Sequence, residues 1–247
     1  MTNTETWDRI AVRDQSAGPA VGDVHYGPGA PTERELRLLG SVVGKRVLDL
    51  GCGAGQAAIS LAMQGATAIA VDASSAQLGR ARARAEREEV RVEWHEGDVA
   101  DLAFLGADSV DLVFSAHALD EVRDLSRVFR QVHRVLKPHG AFVFSHEHPL
   151  ALCAGHDAPA PGTVPTPGAP SPGRLVVHRS SFDRAPITVE RHGEKLTLYP
   201  RSVSDVFTAL GRAGFRVEVI LEPEPVGADR RPLVPGTIIW RARKEGV

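Results

Sequence analysis

A chain of 247 residues that is 43% hydrophobic, with no apolar run near the roughly eighteen residues a membrane helix needs, argues against a membrane span and for a globular protein. Its 29 basic and 31 acidic residues give a formal charge of −2 without any Lys/Arg cluster, which argues against nucleic acid as a partner. Cys52 and Cys153 lack CxxC spacing, and Met1 to Glu5 begin no basic and apolar leader, so no secretory signal and a cytoplasmic protein are expected.

Residues 1–31 are polar, Gly-rich and weakly periodic. They read as an N-terminal arm that packs late, with Trp7, Ile10, Val24 and Tyr26 as anchors. Thr32 and Glu35 have capping-box spacing and predict a helix carrying Leu36, Leu38 and Leu39 up to Gly40. Beyond it, short β-rich runs alternate with helical stretches: strand 46–50, helix 55–63, strand 67–71, helix 76–88 and strands 90–94 and 110–114. A helix follows with Leu125, Val128, Phe129, Val132, Val135 and Leu136 on one face, ended by Lys137-Pro138-His139-Gly140, and then a strand at 141–144. Such alternation predicts βαβ units and a buried parallel sheet with helices on both sides.

Seven prolines (Pro149, Pro159, Pro161, Pro165, Pro167, Pro170, Pro172) fall within twenty-four residues. The interval 151–175 is therefore expected to be a mobile loop, too poor in apolar surface to repay ordering. Segments 174–178 and 187–198 are expected to pair as antiparallel strands. A helix at 202–213 and strands at 215–221 and 237–241 follow, the last two forming an antiparallel hairpin on the sheet edge. One domain over 1–247 is expected, with an arm and helix at 1–44, a core at 45–147 and 201–243, and an inserted lid or substrate segment at 148–200.

The most informative stretch is Val47-Leu48-Asp49-Leu50-Gly51-Cys52-Gly53-Ala54-Gly55-Gln56, at the first strand-to-helix turn. Glycines there let the backbone bend sharply and a ligand approach closely. A dinucleotide fingerprint requires glycine at position 56, and Asp49 beside a pyrophosphate is repulsive, so a ligand carrying positive charge fits better. These residues resemble the hh[D/E]hGxGxG motif of class I S-adenosylmethionine-dependent methyltransferases. Asp72 stands where that family binds the ribose hydroxyls, and Asp98, in Gly97-Asp98-Val99, where it binds the adenine amine. Asp111 to Ser115 is similar to its fourth motif, and Val135 to Gly140 to its LKPGG turn, with His139 in place of a glycine.

Tyr26-Gly27-Pro28, Tyr199-Pro200-Arg201-Ser202, Ala213-Gly214-Phe215, Glu222-Pro223 and Ile238 to Lys244 resemble a methyltransferase-11-type bacterial branch. The resemblance implies a doubly wound, seven-stranded Rossmann-like α/β sheet with the last strand antiparallel. It also implies S-adenosyl-L-methionine as cofactor, held by Tyr26, Asp49, Gly51, Gly53, Gly55, Gln56, Asp72, Ala73, Gln77, Asp98, Val99 and Ser115. A small bacterial metabolite methylated on oxygen or nitrogen is the implied substrate.

His117 follows the fourth strand, with Asp120 and Glu121 next, and His146-Glu147-His148 follows the fifth. Strand carboxyl ends face the ligand side of an open α/β sheet. His148 or His117 is expected to contact the acceptor and to take its proton. On an extended segment His146 and His148 share a face and Glu147 points away, so these residues make a poor metal site and none is expected. Two rival readings stand beside this one: a non-catalytic S-adenosylmethionine-binding regulator, and a nicotinamide-dependent reductase. Oligomeric state is left open.

Overall fold

The computed structural model describes residues 2–14, 18–156, 175–226 and 233–246. The elements in chain order are α1 (Asn3–Arg13), α2 (Glu33–Leu36), β1 (Arg46–Leu50), α3 (Gln56–Met63), β2 (Thr67–Asp72), α4 (Ser75–Arg87), β3 (Val92–Glu96), β4 (Val110–Ala116), α5 (Leu125–Val135), β5 (Leu136–Glu147), α6 (Pro149–Cys153), β6 (Ala154–His156), β7 (Leu175–Val177), β8 (Ile187–Arg191), β9 (Glu194–Leu198), α7 (Val203–Arg212), β10 (Phe215–Leu221) and β11 (Thr237–Lys244). A single 3₁₀ turn, Leu119–Glu121, follows β4.

Seven strands form one sheet in the order β10-β11-β5-β4-β1-β2-β3. Neighbours from β5 to β3 run parallel, whereas β11 is antiparallel to both β5 and β10. The apolar runs of β1, β4 and β5 are buried on both faces, as a parallel sheet covered by helices requires. One core joins Val128, Phe129 and Val132 of α5 to Phe142, Phe144 and Trp240; a second joins Leu61 of α3 and Tyr26 of the arm to Phe114 and Val143, and a small third joins Ala58 of α3 to Ala68 and Ala70 of β2.

Several expectations need correction. The arm contains a helix: Thr2 and Glu5 form a capping box that starts α1. The Thr32 helix is one turn long, because Arg37 adopts a left-handed conformation and the Glu33 carboxylate accepts the Leu38 and Leu39 N–H groups. The closing hairpin does lie on the sheet edge as expected, with β10 outermost and the antiparallel β11 between it and β5. Segments 174–178 and 187–198 do not pair with each other. β7 pairs with β6, and 187–198 folds on itself as the β8–β9 hairpin. His192 and Gly193 turn that hairpin with φ of 52° and 72°, the doubly positive geometry that matches strand twist. Pro149 opens α6, while the other six prolines of the cluster lie outside the described residues.

Gly55 caps α3 with φ of 78°, and a Cβ there would lie 2.7 Å from Trp94 Cη2 and 2.9 Å from Ala81 Cβ. Gly55→Ala is expected to destabilise the fold by about 1–3 kcal/mol through overpacking and backbone strain together. Urea denaturation with an unchanged m-value checks this.

Candidate functional site

The carboxyl ends of the central strands open onto an elongated cavity of about 1050 Å³. It lies where strand order reverses between β1 and β4, the crevice in which open α/β sheets bind ligands. At one end Asp98 and Val99 follow β3; the middle is formed by Gly51 to Ala54 and by Asp72 to Ser74; the far end is formed by Ala116 to Ala118, Glu121, Glu147, Arg191, His192 and Trp7.

The glycine turn is shaped by exclusion. A Cβ on Gly51 would meet the Ala118 Cβ at 2.3 Å, so the β1 turn passes the β4 loop only as glycine, with φ of 68°. Gly53, φ 51°, has nothing within 4 Å of its missing Cβ, which leaves its surface open to a ligand. Asp72, at the end of β2, accepts the Gly53 N–H at 2.8 Å and the Ser74 N–H at 2.9 Å, one on each carboxylate oxygen. Each oxygen keeps a lone pair for a vicinal diol in the cavity. Burial raises its pKa against the pull of those N–H groups. Asp98 accepts the Ala100 N–H, and Gln77 is buried beside Ala73 in the wall. These residues fit a nucleoside with a free ribose diol.

Other residues expected to touch the cofactor lie behind the wall. Asp49 is fully buried under the turn, where it accepts the Ala58 N–H of α3 at 3.0 Å; burial pushes its carboxyl up to about 7. Gln56 donates to the Ala20 and Asp23 carbonyls and so ties the arm to α3. Tyr26 is buried with its hydroxyl on Glu33, and Ser115 donates to the Leu50 carbonyl between β4 and β1. Gly55 packs against Trp94. None of the five lines the cavity.

The two histidines separate. His117 lines the cavity in a left-handed conformation, φ 52°, with Nε2 at 3.0 Å from Thr237 Oγ1. Gly27 is the reason it fits, since a Cβ there would lie 2.2 Å from His117 Nε2. Burial, above all, lowers the His117 pKa to about 4, so the ring is neutral at pH 7. His148 is buried away from the cavity. Its Nδ1 accepts the Leu150 N–H to cap α6, and its Nε2 lies 2.8 Å from Glu222.

Of the three residues at this strand end, Glu147 lines the cavity and His146 and His148 do not. His146 stacks on Trp240, whose Nε1 donates to its Nε2 at 3.0 Å, and lies 3.5 Å from Asp120. Among the described residues no group of three His, Cys, Asp or Glu side chains is set to hold a metal ion.

Sequence reasoning assigned no role at the far end to Glu147, Arg191 or His192. Glu147 is ion-paired with Arg191 from the end of β8. Trp7 reaches the same chamber because α1 is fixed at both sides. Asp8 accepts from Ser74 Oγ and the Ala76 N–H at the start of α4, while Asn3 exchanges two hydrogen bonds with Thr197 of β9. The Thr2-x-x-Glu5 capping spacing was the sequence feature that could have revealed this helix.

Residues 48–144 match the family model described as a methyltransferase domain. Over 105 residues the chain is 36% identical to a ubiquinone biosynthesis O-methyltransferase of Pseudomonas syringae pv. tomato, covering 42% of this chain and 45% of that one. It is 41% identical over 126 residues to an uncharacterised methyltransferase of Synechocystis, covering 45% and 56%. The chain thus spans about half the length of the curated relatives it matches. A crystal structure of an S-adenosylmethionine-dependent methyltransferase from Mesorhizobium loti superposes with a TM-score of 0.68 at 29% identity, covering 85% of this chain and 96% of the other.

Proposed function

We propose that the chain, which carries a methyltransferase domain over residues 48–144 and superposes on an S-adenosylmethionine-dependent methyltransferase, is a class I enzyme of that kind that transfers a methyl group from this donor to an oxygen or nitrogen of a small metabolite. The observation that carries the reading is the continuity of one cavity from the Asp72 and Gly53 cradle to a chamber of charged and aromatic side chains. S-adenosylmethionine supplies an already activated sulfonium methyl. What remains for the protein is orientation, which accounts for about 7–11 kcal/mol of barrier in well-aligned systems.

In this reading Asp72 holds the ribose diol, while Asp98, Val99, Ala73 and Gln77 surround the base and ribose. Gly51 and Gly53 let the donor lie against the backbone. Asp49 supplies negative charge from beneath the turn. His117, neutral at pH 7, offers a hydrogen bond to the acceptor. The whole chain serves as one unit, with α1 and the β8–β9 hairpin walling the acceptor end. Among the described residues no helix is long and apolar enough to cross a membrane.

Calorimetry tests the donor assignment: S-adenosylmethionine is expected to bind in the micromolar to low millimolar range typical of enzyme substrates, and NAD(H) to give no heat. Mass spectrometry for S-adenosylhomocysteine across hydroxylated and amino metabolites tests turnover. Donor binding with no turnover on any of them would favour a regulatory binding protein.

A further inference from the structure

The acceptor end of the cavity holds a carboxyl that forms no ion pair among the described residues. Glu121 ends the 3₁₀ turn after β4 and lines the cavity. Its two oxygens accept from Trp7 Nε1 at 3.0 and 2.9 Å, and no ion pair to it occurs among the described residues. Glu147, on the facing wall, is by contrast paired with Arg191. Trp7 and Asn3 of α1, Asp120 on the same turn and Arg191 of the hairpin act on Glu121, and His117, Arg123, Asp124, Arg127, Glu147 and His192 line the same cavity.

Burial pushes the Glu121 carboxyl up to about 7; the Trp7 and Asn3 hydrogen bonds and the Arg191 charge oppose this, and Asp120 adds to it. A base is most effective when its pKa lies near the working pH. His117, at about 4, is a weak base by that measure, and His148 faces elsewhere.

We propose that Glu121 is the proton acceptor of the reaction, that Trp7 is its positioning residue, and that the methyl acceptor is a hydroxyl or amine that must lose a proton. The acceptor's O–H or N–H bond breaks, the proton bonds to a Glu121 carboxylate oxygen, and the electron pair stays on the acceptor atom for use in methylation. The proposal rests on the methyl-transfer reading of the site. It gives the first helix a chemical task besides covering the cavity, since the indole N–H holds the carboxylate toward the chamber.

The first test needs no substrate. Tryptophan fluorescence of the full chain, followed from pH 5 to 9, is expected to report a transition near pH 7, because the Trp7 indole donates to the titrating carboxyl. Glu121→Gln is expected to remove that transition. With an acceptor from the metabolite panel, Glu121→Gln is expected to lower kcat/KM by about 10²- to 10⁴-fold and to abolish the acid limb of its pH profile. S-adenosylmethionine affinity is expected to stay within about twofold of wild type, since Glu121 is placed on the acceptor. Trp7→Phe is expected to retain the limb but move it to higher pH, since a hydrogen bond to the charged form is lost. Glu121→Asp serves if the glutamine variant does not fold, and is expected to restore part of the rate.

The Trp7 signal is read as the difference between each enzyme and its Trp7→Phe counterpart, because Trp240 also donates to a histidine, His146; a transition in that difference that survives in Glu121→Gln, or its absence from the wild type, overturns the proposal. So does a Glu121→Gln enzyme within a few fold of wild type with its acid limb intact. Failure of the wild type to bind S-adenosylmethionine would instead overturn the reading on which the proposal rests, while the fluorescence titration would still report on Glu121.

Discussion

Asp72→Ala is expected to lower the affinity for S-adenosylmethionine by about 10²- to 10⁴-fold, measured by calorimetry. The size follows from the removal of two hydrogen bonds to a charged group, each worth about 1.5–3 kcal/mol. Asp72 also accepts the Gly53 and Ser74 N–H groups, so its loss loosens the glycine turn as well as removing the diol contact. Asp72→Asn separates the two effects, because one side-chain oxygen remains to receive a backbone N–H and the formal charge is gone. Thermal melts of both variants give the structural share. A change in affinity below about fivefold in the alanine variant, with the fold intact, would remove Asp72 from the ribose site.

Asp49→Asn is expected to move stability and affinity in opposite directions. Burial raises the Asp49 carboxyl from 3.8 to about 7. The folded chain thus holds this proton more tightly than the unfolded chain, so the group's contribution is full below pH 3.8 and is lost as the pH rises through about 7. At about 1.36 kcal/mol per pH unit of displacement, the buried charge at pH 8 disfavours the fold on the order of 4 kcal/mol.

Asparagine keeps an oxygen for the Ala58 N–H and carries no charge. The variant is expected to gain about 2–4 kcal/mol at pH 8 and progressively less toward pH 5, checked by urea denaturation across that range. At pH 8, where Asp49 is mostly ionised, its affinity for the cationic donor is expected to fall about tenfold, because a buried unit charge a few side-chain lengths from a cation is worth on the order of 1–2 kcal/mol. Equal affinity in wild type and variant would remove Asp49 as the countercharge and leave it as a support of α3.

The local grammar of the chain was sufficient for the glycine turn and the acidic strand ends that line the cavity. β1 occupies Arg46–Leu50 as its apolar run predicts, and the glycines at 51 and 53 bend the turn that follows. Asp72 and Asp98 lie at the strand ends where period-two runs give way to turns, and both line the cavity. Such features depend on residues a few positions apart, so the sequence records them directly. Where the same grammar was sparse it was missed: α1 has the capping box of Thr2 and Glu5 but few apolar residues to mark its period.

By itself the sequence determined the alternation of strands and helices, the sheet they form and the glycine turn that lines the cavity. Tertiary structure decided which side chains that turn exposes. Asp49, Gln56, Tyr26 and Ser115 share the motif's neighbourhood, yet each is drawn behind the wall by a hydrogen-bond partner from another element. It also decided the acceptor end. Strand alternation predicts His146 and His148 on one side and Glu147 on the other, but which of them meets the cavity depends on what packs against each. Trp240 of β11 and Glu222 after β10 engage the histidines, and Arg191 of the hairpin engages Glu147. Trp7, Glu121 and Arg191 come from segments far apart in the chain, and only the packing of α1 and the β8–β9 hairpin around the end of the sheet makes them one chamber.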